Sequence, residues 1–212
     1  MDSRLTDLPV EDFLARLATD DPVPGGGSAS ALAGAMAAAL VHMVVELTTG
    51  RPAAAEHEER LTEIRLAAAG IQSELLSLAH ADAVAYASVV TARRLPKETD
   101  GDREARRVQL DAAVREATRT PLSIARRAAE VLALAEELAP IGNRNAVSDV
   151  GVAGLLAGAA IRGAAMNVEI NLPSLPEGEP LRAEARGELD ALVSGLTDRE
   201  AAVATAVGDR IG

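Results

Sequence analysis

Asp82 is the residue of this sequence best placed to do chemistry and hardest to explain by packing. Leu61, Ile64, Ala68, Ile71, Leu75, Leu78, Asp82, Ala85 and Val89 recur in steps of three and four, the spacing of one face of a long bundled helix. A carboxyl group in such a stripe is desolvated unless it finds a partner. Burial raises its pKa toward the range where it can hold or give up a proton near neutrality. Lys97 is the second candidate, the single lysine beside 20 arginines. An amine is compact, and its pKa moves more readily than that of a guanidinium. With Arg93 and Arg94 it makes a basic cluster near the aspartate, which Arg51 joins if the preceding helix ends nearby. A kinked helix at His80 or an open loop at Lys97 would instead leave both as ordinary solvated residues.

A third feature is the run Pro22-Val23-Pro24-Gly25-Gly26-Gly27-Ser28, which opens directly into the small, apolar segment Ala29 to Thr49. Glycines at a helix start leave backbone N–H groups free to point at an anion or a polar ligand atom, with no side chain in the way. Gly25, Gly26, Gly27 and Ser28 are therefore candidate substrate contacts, although a plain turn with Ser28 as N-cap would read the same. No Gly-Lys-Ser/Thr follows, and no strand or G-x-G-x-x-G is present, so neither a P-loop nor a dinucleotide fingerprint is read. His42 and Glu46, one turn apart, can share a hydrogen bond, but a lone histidine on an apolar face is usually only packed in place.

These residues need helices to hold them. Phe13, Leu14 and Leu17 mark a short amphipathic cover helix after Asp7-Leu8-Pro9. The central helix is expected from Ser28 to Thr49, stopped by Gly50, with Gly34 and Ala38 letting another helix approach. The long striped helix follows Arg51-Pro52 and ends at Leu95-Pro96, before the polar loop Lys97 to Asp102. Two outer helices are expected next, Asp102 to Arg119 and, restarted at Thr120-Pro121, Pro121 to Ala139. The turn Pro140 to Asn145 leads into an Ala/Gly helix from Ser148-Asp149 to about Ile170. On it Asp149, Ala153, Leu156, Ala160, Gly163 and Asn167 share a face, with Asn171 one turn further, so polar groups bracket a small-residue surface. Gly151, Gly154 and Gly158 allow close packing against the central helix or across a two-fold interface. After the linker Pro173 to Pro180, one last helix is expected over Leu181 to Val207. The fold class is all-α: a single-domain bundle of long helices, residues 1–212, around a central Ala/Gly-rich helix.

Composition narrows the function. At 212 residues the chain can bury a real core, and with Phe13 and Tyr86 as its only aromatics it is poor in strand formers. The absence of cysteine removes thiolate nucleophiles and Cys-based metal sites, while His42, His57 and His80 are too scattered for a metal site. No metal or cofactor beyond the substrate is expected. A net charge of −11 argues against nucleic acid as a partner. The N-terminus has no signal-peptide pattern, which leaves a cytoplasmic protein as the expectation. Ala29 to Val45 is mostly Ala and Gly, contains His42, precedes Glu46 and lacks basic flanks, so it reads as a buried helix rather than a membrane span.

Taken in order, Pro24-Gly25-Gly26-Gly27-Ser28, Thr49-Gly50-Arg51, Asp82-Ala83-Val84-Ala85-Tyr86, Leu95-Pro96-Lys97, Gly142-Asn143 with Ser148-Asp149, and Asn167-Val168-Glu169-Ile170-Asn171 resemble the cyclodeaminase/cyclohydrolase family. That family comprises the cyclodeaminase portion of formiminotransferase-cyclodeaminase and free-standing relatives, methenyltetrahydrofolate cyclohydrolases among them. The resemblance implies a helical, homodimeric, folate-binding enzyme in which the aspartate at Asp82 carries the activity. It also implies a tetrahydrofolate substrate, polyglutamylated. For such a ligand we expect Asn143, Asp149, Asn167 and Asn171 to read the pterin edge and Arg93 and Arg51 to meet the glutamate tail, with Lys97 either joining them there or acting as a catalytic group that faces the reacting carbon or tunes Asp82. Cyclisation of 5-formiminotetrahydrofolate with release of ammonia is the first expectation, hydrolysis of 5,10-methenyltetrahydrofolate the alternative, and a non-catalytic folate-binding or dimeric scaffold protein a third reading. No formiminotransferase domain is expected before the first helix. His80 stands where some relatives have a second acid two residues before the aspartate.

Overall fold

The computed structural model describes residues 4–211, which form seven α-helices and three short 3-10 turns with no strand among them. The helices are α1 (Val10–Leu17), α2 (Gly26–Thr48), α3 (Glu58–Arg93), α4 (Asp100–Leu138), α5 (Val147–Asn171), α6 (Pro180–Val193) and α7 (Leu196–Ile211). The all-α class expected from composition is what the chain adopts. α2 packs against α3, α4 and α5 and is the centre of the bundle. It can be, because it carries no charged residue before Glu46 and buries Ala31, Ala35, Ala38, Val41 and Val45. Gly34 is where its neighbours close in: a Cβ there would stand 3.1 Å from Leu75 Cδ1 of α3 and 3.5 Å from Ala160 Cβ of α5. Adding that methyl would require the Leu75 side chain to give way by a few tenths of an ångström, while Ala160 is already at ordinary contact distance.

The stripe of α3 is buried at Leu61, Ile64, Ala68, Ile71, Leu75, Ala85 and Val89, with Ala79 rather than Leu78 fully inside as the helix phase drifts. α3 runs alongside α2 and continues about 16 Å past Asp82, eleven residues at 1.5 Å each, to its end at Arg93.

Three expectations about helix limits and faces are corrected. α4 is one helix of 39 residues, with Pro121 inside it, and not two. It starts at Asp100 because Thr99 and Asp102 form a reciprocal capping box. Proline within a helix removes the hydrogen bond to the carbonyl four residues back and costs about 3 kcal/mol. Here that carbonyl, on Ala117, accepts instead from Asn171 Nδ2 of α5 at 2.7 Å. A tertiary partner thus stands in for the lost backbone donor. The last helix is two helices, α6 and α7, because Gly195 adopts φ +69° between them. Finally, Gly151, Gly154 and Gly158 seat α7 rather than the central helix or a two-fold interface. Val207 and Val203 lie over Gly151 and Gly154, and Glu200, paired with Arg162, occupies the space above Gly158.

α2, α5 and the segment Pro52–Arg93 are each long and apolar enough to cross a membrane by length and composition, and the bundle buries part of each. Among the residues it leaves uncovered are large apolar ones: Met36, Met43 and Leu47 on α2, and Val152, Leu155, Met166 and Ile170 on α5.

Candidate active site

α2 begins at Gly26 with Gly25 at its N-cap, so Ser28 lies inside the first turn and is not the cap expected from sequence. Its fully buried hydroxyl points at α3, 2.8 Å from the Ala79 carbonyl oxygen and 3.1 Å from Asp82 Oδ2. Gly27 lets the two helices meet: a Cβ there would overlap both oxygens of the Asp82 carboxylate. Asp82 is half-buried, and burial pushes its pKa above the ordinary carboxylate range, while the Ser28 hydroxyl and backbone N–H pull it partly back.

A hydroxyl has one proton to give. While Asp82 is neutral, Ser28 can donate to the Ala79 carbonyl and accept from the carboxyl proton; once Asp82 is ionised, the Ser28 proton can turn to the carboxylate. Both protonation states therefore keep a hydrogen-bonded partner.

Asp82 opens into a cavity of about 270 Å³ lined by Pro22, Val23, Gly25, Gly26, Gly27, Tyr86, Ala117, Asn167, Ile170 and Asn171. Asn167 and Asn171 sit one turn apart at the end of α5 and brace themselves on their own helix, with Asn167 Nδ2 donating to Gly163 O at 2.8 Å and Asn171 Nδ2 to Asn167 O at 2.8 Å. Asn167 also packs on Gly26, where a Cβ would come 3.3 Å from its Nδ2. No lysine or arginine lines the cavity. Tyr86, one turn beyond Asp82, and Ala117 and Ile170 were not singled out as site residues. For Tyr86 the i, i+4 spacing from the aspartate was the available signal.

The remaining sequence candidates lie elsewhere. Arg51 and Asn143 line a second cavity, about 470 Å³, at the opposite end of α2, with His57, Arg144 and Arg210. Asn143 is held there by its backbone N–H to Thr48 Oγ1 at 2.9 Å and by Nδ2 to Leu47 O at 3.0 Å. Asp149 is half-buried in the first turn of α5, at that same end. Arg93 and Lys97 are exposed where α3 turns into α4. The chain does not bring Lys97 to Asp82, contrary to the sequence expectation, because the straight last turns of α3 carry it away. His42 lies 3.4 Å from Glu46 on a partly exposed face where Glu46 also meets Arg65. His80, two residues before Asp82, faces a different cavity with Arg4, Thr6 and Ser73. Among the described residues no three His, Asp or Glu side chains converge at metal-binding spacing.

A helical bundle that buries one carboxyl beside a glycine-rich helix start, facing two braced amides, has the makings of an enzyme that moves protons on a small polar ligand. The family profile described as formiminotransferase-cyclodeaminase matches residues 9–190, and the chain belongs to that family. It is 40% identical over 185 residues to the methenyltetrahydrofolate cyclohydrolase of Methylorubrum extorquens, covering 87% of this chain and 88% of that one. It is 30% identical over 189 residues to the formimidoyltransferase-cyclodeaminase of Rattus norvegicus, of which it spans 35%. The solved formiminotetrahydrofolate cyclodeaminase of Thermotoga maritima has the same fold, with a TM-score of 0.85, 27% identity and coverage of 97% of this chain and 98% of the other.

Proposed function

We propose that this chain is a one-carbon folate enzyme that hydrolyses 5,10-methenyltetrahydrofolate to 10-formyltetrahydrofolate, with Asp82 moving the proton. The observation that carries the reading is the Asp82 carboxyl itself, raised by burial, hydrogen-bonded by Ser28 in either protonation state and facing a cavity. Water adds to the cationic methenyl carbon while the Asp82 carboxylate takes one of its protons. The bond from that carbon to N5 then breaks and the carboxyl returns the proton to N5. The new hydroxyl loses its proton to solvent as the formyl group forms. A carboxyl whose pKa burial raises above the ordinary range can serve both transfers.

Hydrolysis is placed first because the relative matched over nearly the whole of both chains at 40% identity bears the cyclohydrolase name. Cyclodeamination is the second reading, favoured by the likeness to the Thermotoga maritima cyclodeaminase over 97% of the chain. In it N10 loses a proton on attacking the formimino carbon, and the leaving nitrogen gains one as ammonia departs. The same carboxyl can serve both steps.

The reading extends to a homodimer joined through the uncovered apolar faces of α2 and α5, and to a polyglutamylated substrate whose tail meets arginines or Lys97 outside the cavity. Purified protein should accelerate loss of 5,10-methenyltetrahydrofolate well above its spontaneous hydrolysis and release little ammonia from 5-formiminotetrahydrofolate. The opposite pattern makes it a cyclodeaminase, and acceleration of neither reaction overturns the enzymatic reading. Light scattering at micromolar concentration should give twice the chain mass, and a monomer would refute the dimer.

A further inference from the structure

Arg51, Arg144 and Arg210 line the cavity of about 470 Å³ at the Thr48 end of α2, together with His57 and, as the single carboxylate among the described residues of that lining, Glu56. Three separate segments bring the arginines there. Arg51 follows α2, Arg144 sits in the turn between α4 and α5, and Arg210 is in the last turn of α7. Each is braced by a neutral backbone carbonyl: Arg51 Nε donates to Leu47 O at 2.6 Å, Arg144 Nη2 to Ile211 O at 3.1 Å and Arg210 Nη2 to Gly142 O at 2.7 Å. A carbonyl fixes a guanidinium in place and leaves its charge uncancelled.

Elsewhere on α5 and α7 arginines end on carboxylates, Arg162 on Glu200 and Arg199 on Glu136. The cavity does not follow that pattern. Glu56 is turned to solvent, its side chain 81% exposed and 3.4 Å from His57, and Arg210 Nε is buried with no partner among the described residues. Three guanidiniums against one carboxylate leave an excess of two positive charges at one place on a chain of net charge −11. A buried donor of a charged group without an acceptor costs stability, and an acceptor brought by a ligand removes that cost.

We propose that this cavity is a second binding site, for a small phosphorylated ligand held by its dianionic phosphate and separate from the proton-moving site at Asp82. A phosphate monoester carries about −1.5 to −2 charges at pH 7 on one tetrahedral group, which matches the excess. Guanidinium forks take such a group through paired N–H···O bonds. The cavity's 470 Å³ falls within the range of about 300–1,000 Å³ usual for small-molecule sites, so there is room for the rest of the ligand. A glutamate tail offers single charges spaced along a chain, which one exposed guanidinium such as Arg51 can meet; three guanidiniums around one cavity favour two charges on one group. The inference does not depend on the folate reading, because none of these residues lines the Asp82 cavity. A bound phosphate ties the end of α2, the α4–α5 turn and α7 to one another, so its binding is legible as stability.

The test uses the full chain with inorganic phosphate as the probe, read by calorimetry and by Tm, at an ionic strength held constant with potassium chloride. Phosphate should bind once per chain with a Kd of about 1 mM or tighter, and raise Tm along the saturating curve of a ligand that binds only the folded chain. Arg210→Gln and Arg144→Gln should each weaken it by about tenfold or more. Arg186→Gln, which removes an exposed charge on α6, and Asp82→Asn at the far end of α2 should leave it within about twofold. Phosphate also stabilises folded proteins in general, through its exclusion from their surface. A rise in Tm that does not saturate, or that both arginine variants share in full, is that general effect and overturns the proposal. So does the absence of binding heat. Tri-γ-glutamate that binds more tightly than phosphate, and loses its affinity in Arg210→Gln, gives the cavity to the tail and overturns it as well. Should Arg210→Gln fail to fold, Arg144→Gln, at an exposed side chain, decides the matter. Failure of the wild type to turn over either folate speaks against the folate reading and leaves this test intact.

Discussion

At the Gly26 end of α2 a carboxyl sits in a cavity that no cationic side chain lines, whereas at the Thr48 end Arg51, Arg144, Arg210 and His57 line a cavity in which, among the described residues, Glu56 is the only carboxylate. The two lie about 33 Å apart along the helix, 22 residues at 1.5 Å each. None of the three arginines forms an ion pair among the described residues, and Arg210 Nε is buried there without a partner. The contrast shows how a chain of net charge −11 keeps one carboxyl basic enough to take a proton. A cation within about 4–6 Å would pull the Asp82 pKa down by about 1–3 units and undo what burial achieves. Binding of anionic groups is consistent with the proton chemistry only at a distance from it.

Breaking the carboxyl end should have the largest effect. Asp82→Asn is expected to lower kcat by about two to four powers of ten, the span usual for general acid–base groups, with little change in tetrahydrofolate binding. Gly27→Ala places a methyl where the carboxylate lies and displaces it. A shift of about 1 Å at a reacting group can lower the rate about 100-fold, and steady-state kinetics on folded protein would show it.

Erasing the contrast sharpens it further. Asn167→Lys brings a cation to the cavity and should move the acid limb of the kcat/KM profile to lower pH by about 1–2 units. An unmoved limb would mean that Asp82 does not set it. Wild type should lose activity as pH falls through a value above the ordinary carboxylate pKa of about 3.9, because the carboxylate is the form that accepts the proton from water.

The same shift has a stability counterpart. A carboxyl whose pKa is raised on folding holds its proton more tightly in the native state, so wild-type stability falls as pH rises from the unfolded value through the folded one. Asp82→Asn removes that loss. Its Tm should exceed that of wild type at pH 8 and match it at pH 3.5, where the carboxyl is protonated in both states. At the arginine end the effect should be smallest: Arg51→Gln should leave kcat within about twofold and raise KM a few-fold for a polyglutamylated folate only. A matching rise for the monoglutamate would detach that cavity from the tail.

Asp82 was legible in the sequence because an α-helical stripe exposes an intruder, and the Ala/Gly content of α2, free of charge before Glu46, marked it as a segment small enough to sit at the centre. The error at Pro121 has a physical source. Helix signals are local, and the donor that makes the proline tolerable lies 50 residues away on Asn171. The grouping of Lys97 and Arg93 with Asp82 failed for a related reason. Residues near in sequence are far apart along a straight helix, and no periodicity says that α3 overshoots α2. Gly151, Gly154 and Gly158 announced a close approach, while the identity of the approaching helix, α7, depended on tertiary packing.

The most direct test of the account is a titration of Asp82 itself. With aspartate carboxyls labelled with ¹³C, the resonance absent from Asp82→Asn should titrate above the range of the exposed aspartates, and Ser28→Ala should move it higher still by removing a partner of the charged form. An Asp82 resonance that titrates at or below the exposed aspartates would contradict the claim that burial holds this carboxyl above the ordinary carboxylate range.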